Sequence, residues 1–332
     1  AVGPGSVGPG GETSLGFILI TQALPTIIFF AALMGILYYF GIMNKLIQGF
    51  SWVFTRLMRI SGAESLSASS NIFVGVESSL VIRPHLAGMT KSELTTILTA
   101  GMATIASSML AVYVFMLRDQ FPTIAAHLVS ASIMNAPAAI IMSKLIYPES
   151  ETPETLGIHV KSEYKREPNF IAAIISSSNA GVKLIVGIVT LLLAFLGLVA
   201  LADKILILFG SQINALFGID IDWTLKGLMG YLFYPITLLL GVPLEDAGHV
   251  SKIIGSRAIV TEVTAFQNLA ALLKSGVVLE PRTVVITTYA LTGFAHIASL
   301  AIFVGGIGAL VPKRITDLSR LGFRALIAAT LA

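Results

Sequence analysis

Two apolar stretches of this 332-residue chain each carry a glutamate in the middle of a run otherwise fit for a membrane. The first is Asn71-Ile72-Phe73-Val74-Gly75-Val76-Glu77-Ser78-Ser79-Leu80-Val81-Ile82, and the second is Ile259-Val260-Thr261-Glu262-Val263-Thr264-Ala265-Phe266. A charge at bilayer depth costs roughly 3 kcal/mol or more, so such residues face a polar cavity and mark a substrate or ion path. Each stretch is followed by a near-copy of one motif. Gly101-Met102-Ala103-Thr104-Ile105-Ala106-Ser107 matches Gly293-Phe294-Ala295-His296-Ile297-Ala298-Ser299 at Gly, Ala, Ile, Ala and Ser. A glutamate segment followed by G-x-A-x-I-A-S, twice, is the mark of an internal duplication. In a membrane chain, paired interrupted segments at corresponding positions point to a transport site at the repeat interface.

Composition places the chain in the membrane. Hydrophobic residues make up 55% of it and charged residues 12%, against about 25% charged in soluble domains; the mean hydropathy is +0.87. The net charge of +3 does not call for nucleic acid, because Lys and Arg collect at segment ends and on one surface helix. Cysteine is absent, which excludes disulfide and thiol chemistry. No H-E-x-x-H zinc signature and no phosphate-cradling loop are present, so neither an intramembrane hydrolase nor an ATP-driven pump has support, and the expectation is a chain that is not an enzyme. Residues 1–11 are Gly/Pro-rich linker material without a cleavable signal peptide. The chain opens without Met and stops at Ala332 inside an apolar run, so a piece of a longer chain is expected.

In order, residues 15–43 are long enough to cross about 30 Å of hydrocarbon, with a kink expected at Pro25. Over residues 44–60, Lys45, Gln48, Arg56 and Arg59 alternate with Leu46, Phe50, Trp52, Val53 and Leu57, the pattern of an interfacial amphipathic helix. Residues 61–86 are dense in Ser, Ala and Gly and hold Glu64 as well as Glu77. They are too polar to face lipid and fit a re-entrant helical hairpin buried in protein. Residues 95–115 and 124–146 are spans, and 148–168 read as a charged, solvated loop with room for a short surface helix. Residues 171–201 read as a span, 202–223 as an amphipathic surface helix, and 225–242 as an apolar segment around Pro235. Residues 243–273 repeat the character of the first hairpin around Glu262, 283–311 form a span interrupted at Phe294-Ala295-His296, and residue 318 begins a last span.

The expected fold is therefore all-α: a polytopic membrane protein with inverted repeats, two re-entrant helical hairpins and broken transmembrane helices. Residues 1–60 form part of a scaffold, 61–147 the first transport repeat, 148–242 a loop with a scaffold span and surface helix, and 243–332 the second transport repeat.

Glu77 and Glu262 are the leading functional candidates; the ordinary alternative is a structural partner for a nearby cation or helix end. Asn71 and Thr104 are candidate oxygen ligands for a small cation, joined by carbonyls released where a helix unwinds. An Asn or Thr in an apolar run is otherwise an interhelical hydrogen-bond partner. His296 stands where the first motif has Thr104, placed either to donate to a substrate hydroxyl or to titrate near neutral pH, with a structural role equally open. Glu64 and Asp246 lie near hairpin starts, where helix N-termini favour carboxylates, and read as structural.

These residues resemble the concentrative nucleoside transporter family. Its first-hairpin pattern reads Glu-Ser-x-Ser/Ala-Ala-Ala-Asn-Ile-Phe-Val-Gly-Gln-Thr/Ser-Glu-Ala-Pro-Leu-x-x-Arg-Pro. The chain has Glu64-Ser65, then Ser69-Ser70-Asn71-Ile72-Phe73-Val74-Gly75, then Leu80-Val81-Ile82-Arg83-Pro84. Met89-Thr90, Ser92-Glu93-Leu94, Ile253-Ile254-Gly255, Gly293-Phe294-Ala295, Gly305-Gly306-Ile307-Gly308-Ala309-Leu310 and Pro312-Lys313-Arg314 also match, and the likeness runs from Leu24 to the end.

The resemblance implies a homotrimer in the lipid bilayer, a bacterial inner-membrane protein whose mobile transport domain moves against a scaffold. It implies nucleoside import driven by Na⁺ or, in some members, H⁺. Carried over by position, Glu262, Ser299 and His296 take the ribose and Phe294 packs on the sugar. Glu77 and Val76 face the nucleobase, and Met109 lines the pocket. Asn71 and Thr104 give side-chain Na⁺ ligands, with backbone carbonyls from Val74 and Ile105. The chain departs from the pattern in three places. Gly75-Val76-Glu77-Ser78-Ser79 lacks the family's Gln and is one residue shorter, so base preference does not carry over, and an ion-coupled transporter of a different small polar solute stays open. His296 replaces an Asn, and the family's first two spans lie outside this sequence.

Overall fold

The interruptions of the apolar runs decide the fold. In a computed structural model, which describes residues 24–160 and 167–332, every regular element among the described residues is helical. Pro25 occupies the N-cap of α1 (Thr26–Tyr39). It starts the helix instead of kinking it, because the missing N–H falls where no intrahelical partner exists. The bend comes fifteen or so residues later (about four turns of helix), where α2 (Ile42–Met58) leaves α1 at 79°. α2 buries Met43, Ile47 and Phe54 and exposes Trp52, Leu57, Lys45 and Arg56, as an interfacial helix should. The part of the expected first span before residue 24 lies outside the described residues.

The first hairpin opens with a capping box: Ser61 Oγ accepts from the Glu64 N–H, and Glu64 Oε2 accepts from the Ser61 N–H, each at 3.2 Å. Glu64 also pairs with Lys144 Nζ at 2.6 Å, which gives this carboxylate a structural role. Helix α3 (Gly62–Asn71) is buried along its whole length, and the chain returns as a 3₁₀ helix, Val76–Ile82. The first broken span is α4 (Lys91–Ala103) and α5 (Ser107–Leu117), followed by the unbroken α6 (Ile124–Ile146). Residues 148–160 form no helix, and 161–166 lie outside the described residues.

Beyond the loop, α7 (Phe170–Phe217) is one helix of 48 residues, about 72 Å long. The sequence suggests a span and a separate surface helix here. The two are continuous because Ala202-Asp203-Lys204 contains no Gly, Pro or cap to stop the helix; it ends only at Gly218. Helix α7 carries two membrane-length apolar windows, Phe170–Gly187 and Leu196–Phe217. Then come α8 (Leu225–Leu239), the second hairpin α9 (Leu244–Ile259) and α10 (Glu262–Lys274), and the second broken span α11 (Pro281–Leu291) and α12 (Ile297–Leu310). Asp246 at the hairpin start accepts the Glu280 N–H at 3.1 Å, a structural use as expected. Helix α13 (Ile315–Leu331) closes the chain.

Two apolar cores organise these elements. One gathers hairpin 1, α4, α12 and α13; the other gathers α1, α5, hairpin 2 and α11. The first broken span thus leaves the first core at Ala103 and enters the second at Ile105. The second broken span runs the other way, from Leu291 in the second core to Ala295 and Phe303 in the first. Two related helix pairs crossing two cores in opposite senses is the packing of an inverted repeat. Helix α6 touches both, through Leu128 on one side and Ala136 and Ile140 on the other.

Candidate functional site

The two motif copies do not break at the same place. Helix α4 runs through Gly101 and stops at Ala103, leaving 104–106 extended, whereas α11 stops at Leu291 and leaves 292–296 outside the helix. Gly101 lies within the helix, and its missing side chain admits Phe303: a Cβ there would lie 2.2 Å from the ring. Gly293 has φ +157°, and a Cβ would lie 3.0 Å from Ala103 O. The breaks therefore meet at Gly293, and the carbonyls they release converge there.

Glu262 is the first residue of α10, where the helix dipole favours a carboxylate. It is 1% exposed. Tyr113 of α5 donates its hydroxyl to Oε1 at 2.8 Å, and Tyr113 itself stacks on Phe266 with centroids 4.2 Å apart. His296 Nε2 lies 3.1 Å from Oε2. His296 also caps α12: its Nδ1 accepts the Ser299 N–H at 3.2 Å. An accepting Nδ1 places the neutral ring's proton on Nε2, so His296 donates to Glu262. The buried guanidinium of Arg257 balances the carboxylate electrostatically and is held by the carbonyl of Ala290 at the end of α11. One buried carboxylate with two neutral donors and a cation behind it is a preorganised acceptor for polar hydrogens.

The other expected substrate residues take these positions. Phe294 meets the His296 ring edge-on at 4.7 Å. Met109 is buried in the core that also holds Tyr113, Val263 and Phe266. The Ser299 hydroxyl is engaged within its own cap, donating to His296 O at 2.6 Å and accepting the His296 N–H at 3.1 Å. Val76 and Glu77 belong to the 3₁₀ helix by backbone; their side chains lie outside the described residues.

A backbone bond ties the segment of Asn71 and Val74 to that of Thr104 and Ile105: the Ser107 N–H donates to Phe73 O at 3.1 Å, fastening the tip of hairpin 1 to the first turn of α5. Asn71 is fully buried, with Oδ1 accepting from Ser78 Oγ at 2.8 Å and Nδ2 donating to Ser67 O at 3.0 Å. Thr104 turns its hydroxyl hydrogen toward Ala100 O at 2.8 Å. Both side chains thus keep oxygen lone pairs while their hydrogens point elsewhere, and the neighbouring backbone is extended. Neutral amide, hydroxyl and carbonyl oxygens form a donor set that suits a hard monovalent cation.

Two residues of this site are not singled out by the sequence, Tyr113 and Arg257. Arg257 is the one with a visible signal, a cation five residues before Glu262 in the second hairpin. Tyr113→Phe removes one donor from the carboxylate and is expected to weaken substrate binding about three- to tenfold, the effect of roughly 0.5–1.5 kcal/mol. Titration calorimetry of the purified variant checks this.

The Na⁺ dependent nucleoside transporter C-terminus family model matches residues 127–332, and a nucleoside recognition gate model matches residues 20–120. An uncharacterized transporter of Haemophilus influenzae is 38% identical over 96% of this chain and 74% of its own length. Mouse solute carrier family 28 member 3 is 35% identical over 97% of this chain and 46% of its own length. The chain thus spans about three quarters of the first relative and under half of the second. The solved structure of CNTnw in an inward-facing substrate-bound state superposes with a TM-score of 0.83 at 35% identity, covering 95% of this chain and 72% of CNTnw. On the match of the family model over residues 127–332 and on these relatives, the chain belongs to the concentrative, Na⁺-dependent nucleoside transporter family.

Proposed function

We propose that this chain forms the transport core of a secondary active symporter that imports nucleosides on a Na⁺ gradient. The observation that carries this is the Glu262 carboxylate, buried at the junction of hairpin 2 with the second helix break and held by Tyr113 and His296. A carboxylate so held accepts ribose hydroxyls by charge-assisted bonds. Phe294 beside it offers an apolar face to the sugar, Met109 lines the wall, and Ser299 holds His296 in register. Glu77 and Val76 take the base side. Na⁺ binds as co-substrate at Asn71, Thr104 and the carbonyls of Val74 and Ile105, and its charge orders the tip of hairpin 1. The loaded transport domain (residues 61–147 and 243–332) then crosses against a scaffold that includes residues 1–60 and 148–242, in elevator fashion.

The exposed apolar side chains of α7, among them Leu193, Leu198, Phe209 and Leu216, support contact with lipid and with the other copies of a homotrimer. The bacterial relative supports residence in a bacterial inner membrane. The chain acts as a carrier and not as an enzyme.

The test is calorimetric titration of the purified protein with uridine and adenosine, in Na⁺ and in choline. Nucleoside binding that tightens in Na⁺ is the expected result. Binding of a free base or sugar in preference to either nucleoside contradicts it and favours a different small polar solute. Asn71→Ala is expected to raise the Na⁺ concentration for half-maximal uptake about fivefold, the loss of roughly 1 kcal/mol of ligand interaction; an unchanged Na⁺ dependence removes Asn71 from the cation site.

A further inference from the structure

Both helix breaks end on the same side chain. Asn135, on α6, donates from Nδ2 to Ala103 O at 3.0 Å and to Thr292 O at 2.6 Å. These carbonyls close α4 and α11, the first halves of the two broken spans. The orientation of the amide is fixed by its partners, since the alternative would set its oxygen against two carbonyl oxygens. Asn135 is buried, and an uncharged nitrogen with two hydrogens is the group that can serve two acceptors here without bringing in a charge. One turn earlier on the same face, Ser132 Oγ donates to Ile72 O at 2.9 Å, next to Asn71. Two residues later Pro137 interrupts the hydrogen bonding of α6 itself. So one short segment of α6 holds hairpin 1, the first break and the second break.

On the transport reading given above, we propose that Asn135 is the positioning residue that couples the cation half of the site to the nucleoside half. Ala103 immediately precedes Thr104 and Ile105, the cation donors. Thr292 immediately precedes the segment 293–296 that carries Phe294 and His296, and Gly293 lies against Ala103 O with no Cβ to separate the two breaks. A cation that draws in the carbonyls after Ala103 moves one acceptor of the amide. A nucleoside that engages His296 and Glu262 moves the other. Because one NH₂ group serves both, each break keeps its bond best when the other is in its bound geometry. The coupling is reciprocal by linkage: Na⁺ tightens nucleoside binding by the factor by which nucleoside tightens Na⁺ binding. Asn135 acts through the two carbonyls it holds.

The experiment compares uridine Kd in Na⁺ and in choline for wild type, Asn135→Leu, Asn135→Gln and Asn135→Ser, by calorimetry on the purified full-length protein. Couplings between sites span about 5- to 150-fold. The wild-type ratio is expected within that range. Asn135→Leu, which keeps the volume and removes both donors, is expected to bring it to within about twofold of unity. Asn135→Gln keeps the NH₂ and restores part of the ratio. Asn135→Ser, with one donor for two carbonyls, falls between and carries the test if the leucine variant does not fold. A loss of stability or of absolute affinity with the Na⁺/choline ratio unchanged overturns the inference. A wild-type protein whose uridine binding ignores Na⁺ overturns the transport reading and the coupling role together, and is seen before any variant is measured.

Discussion

Glu262→Gln is expected to lower nucleoside uptake between about tenfold and a hundredfold, the effect of losing roughly 1.5–3 kcal/mol of charge-assisted bonding. Both carboxylate oxygens already receive a proton donor, Tyr113 at Oε1 and His296 at Oε2. A glutamine offers one acceptor and one donor in their place, so its NH₂ confronts either the tyrosine hydroxyl or the imidazole N–H. Removing the charge also leaves the buried Arg257 guanidinium without its counter-charge, and an uncompensated buried charge destabilises. Uptake is therefore to be read per folded protein, after size-exclusion chromatography. Tyr113→Phe separates the two effects, because it takes away one donor and leaves the charge balance intact. If Glu262→Gln transports at the wild-type rate, the carboxylate does not hold substrate.

Gly293→Ala is expected to reduce transport to below about a tenth of wild type through the backbone, for a non-glycine residue at such a conformation costs of order 1–3 kcal/mol. Its added Cβ would also press on Ala103 O at 3.0 Å and on the Arg257 guanidinium at 3.4 Å. The acceptor it displaces is one that Asn135 needs. Gly276→Ala is the control: its φ of +85° carries a backbone cost, but nothing lies within 4 Å of the added atom. Thermal unfolding in detergent should show both variants destabilised, with transport lost in Gly293→Ala alone. Equal loss in both would mean that the crossing of the breaks is not where transport is sensitive.

The hairpins, the breaks and the two glutamate segments are legible in the sequence, for one reason. Polar and small residues inside an apolar run have no place facing lipid, so Glu262, Asn71 and Thr104 declare themselves against their surroundings. The motif pair shows the duplication but not the offset of the breaks, because Gly101 and Gly293 occupy the same motif position and opposite conformational roles, one helical beneath Phe303 and the other at φ +157°. The partners of the site are hidden for a different reason. Tyr113 reaches Glu262 across 149 residues of chain, and Asn135 reaches Thr292 across 157. No local spacing encodes such pairs; they follow from the opposite passage of the two broken spans through the two cores. Helix α7 shows the converse. A charged pair, Asp203-Lys204, lowers the local hydropathy and suggests a boundary, yet without a breaker the helix continues.

Na⁺-coupled accumulation is the property that defines such a symporter, and proteoliposomes of the full-length protein measure it directly. Radiolabelled uridine and adenosine are supplied outside, with an inward Na⁺ gradient in one set and an inward proton gradient in another. The arrangement of Asn71, Thr104, Glu262 and His296 predicts accumulation above the external concentration with Na⁺, abolished when the gradient is collapsed. Accumulation driven by protons alone would contradict the cation site at Asn71 and Thr104 and put the His296–Glu262 pair in its place. No accumulation of either nucleoside under either gradient would contradict nucleoside symport by this protein.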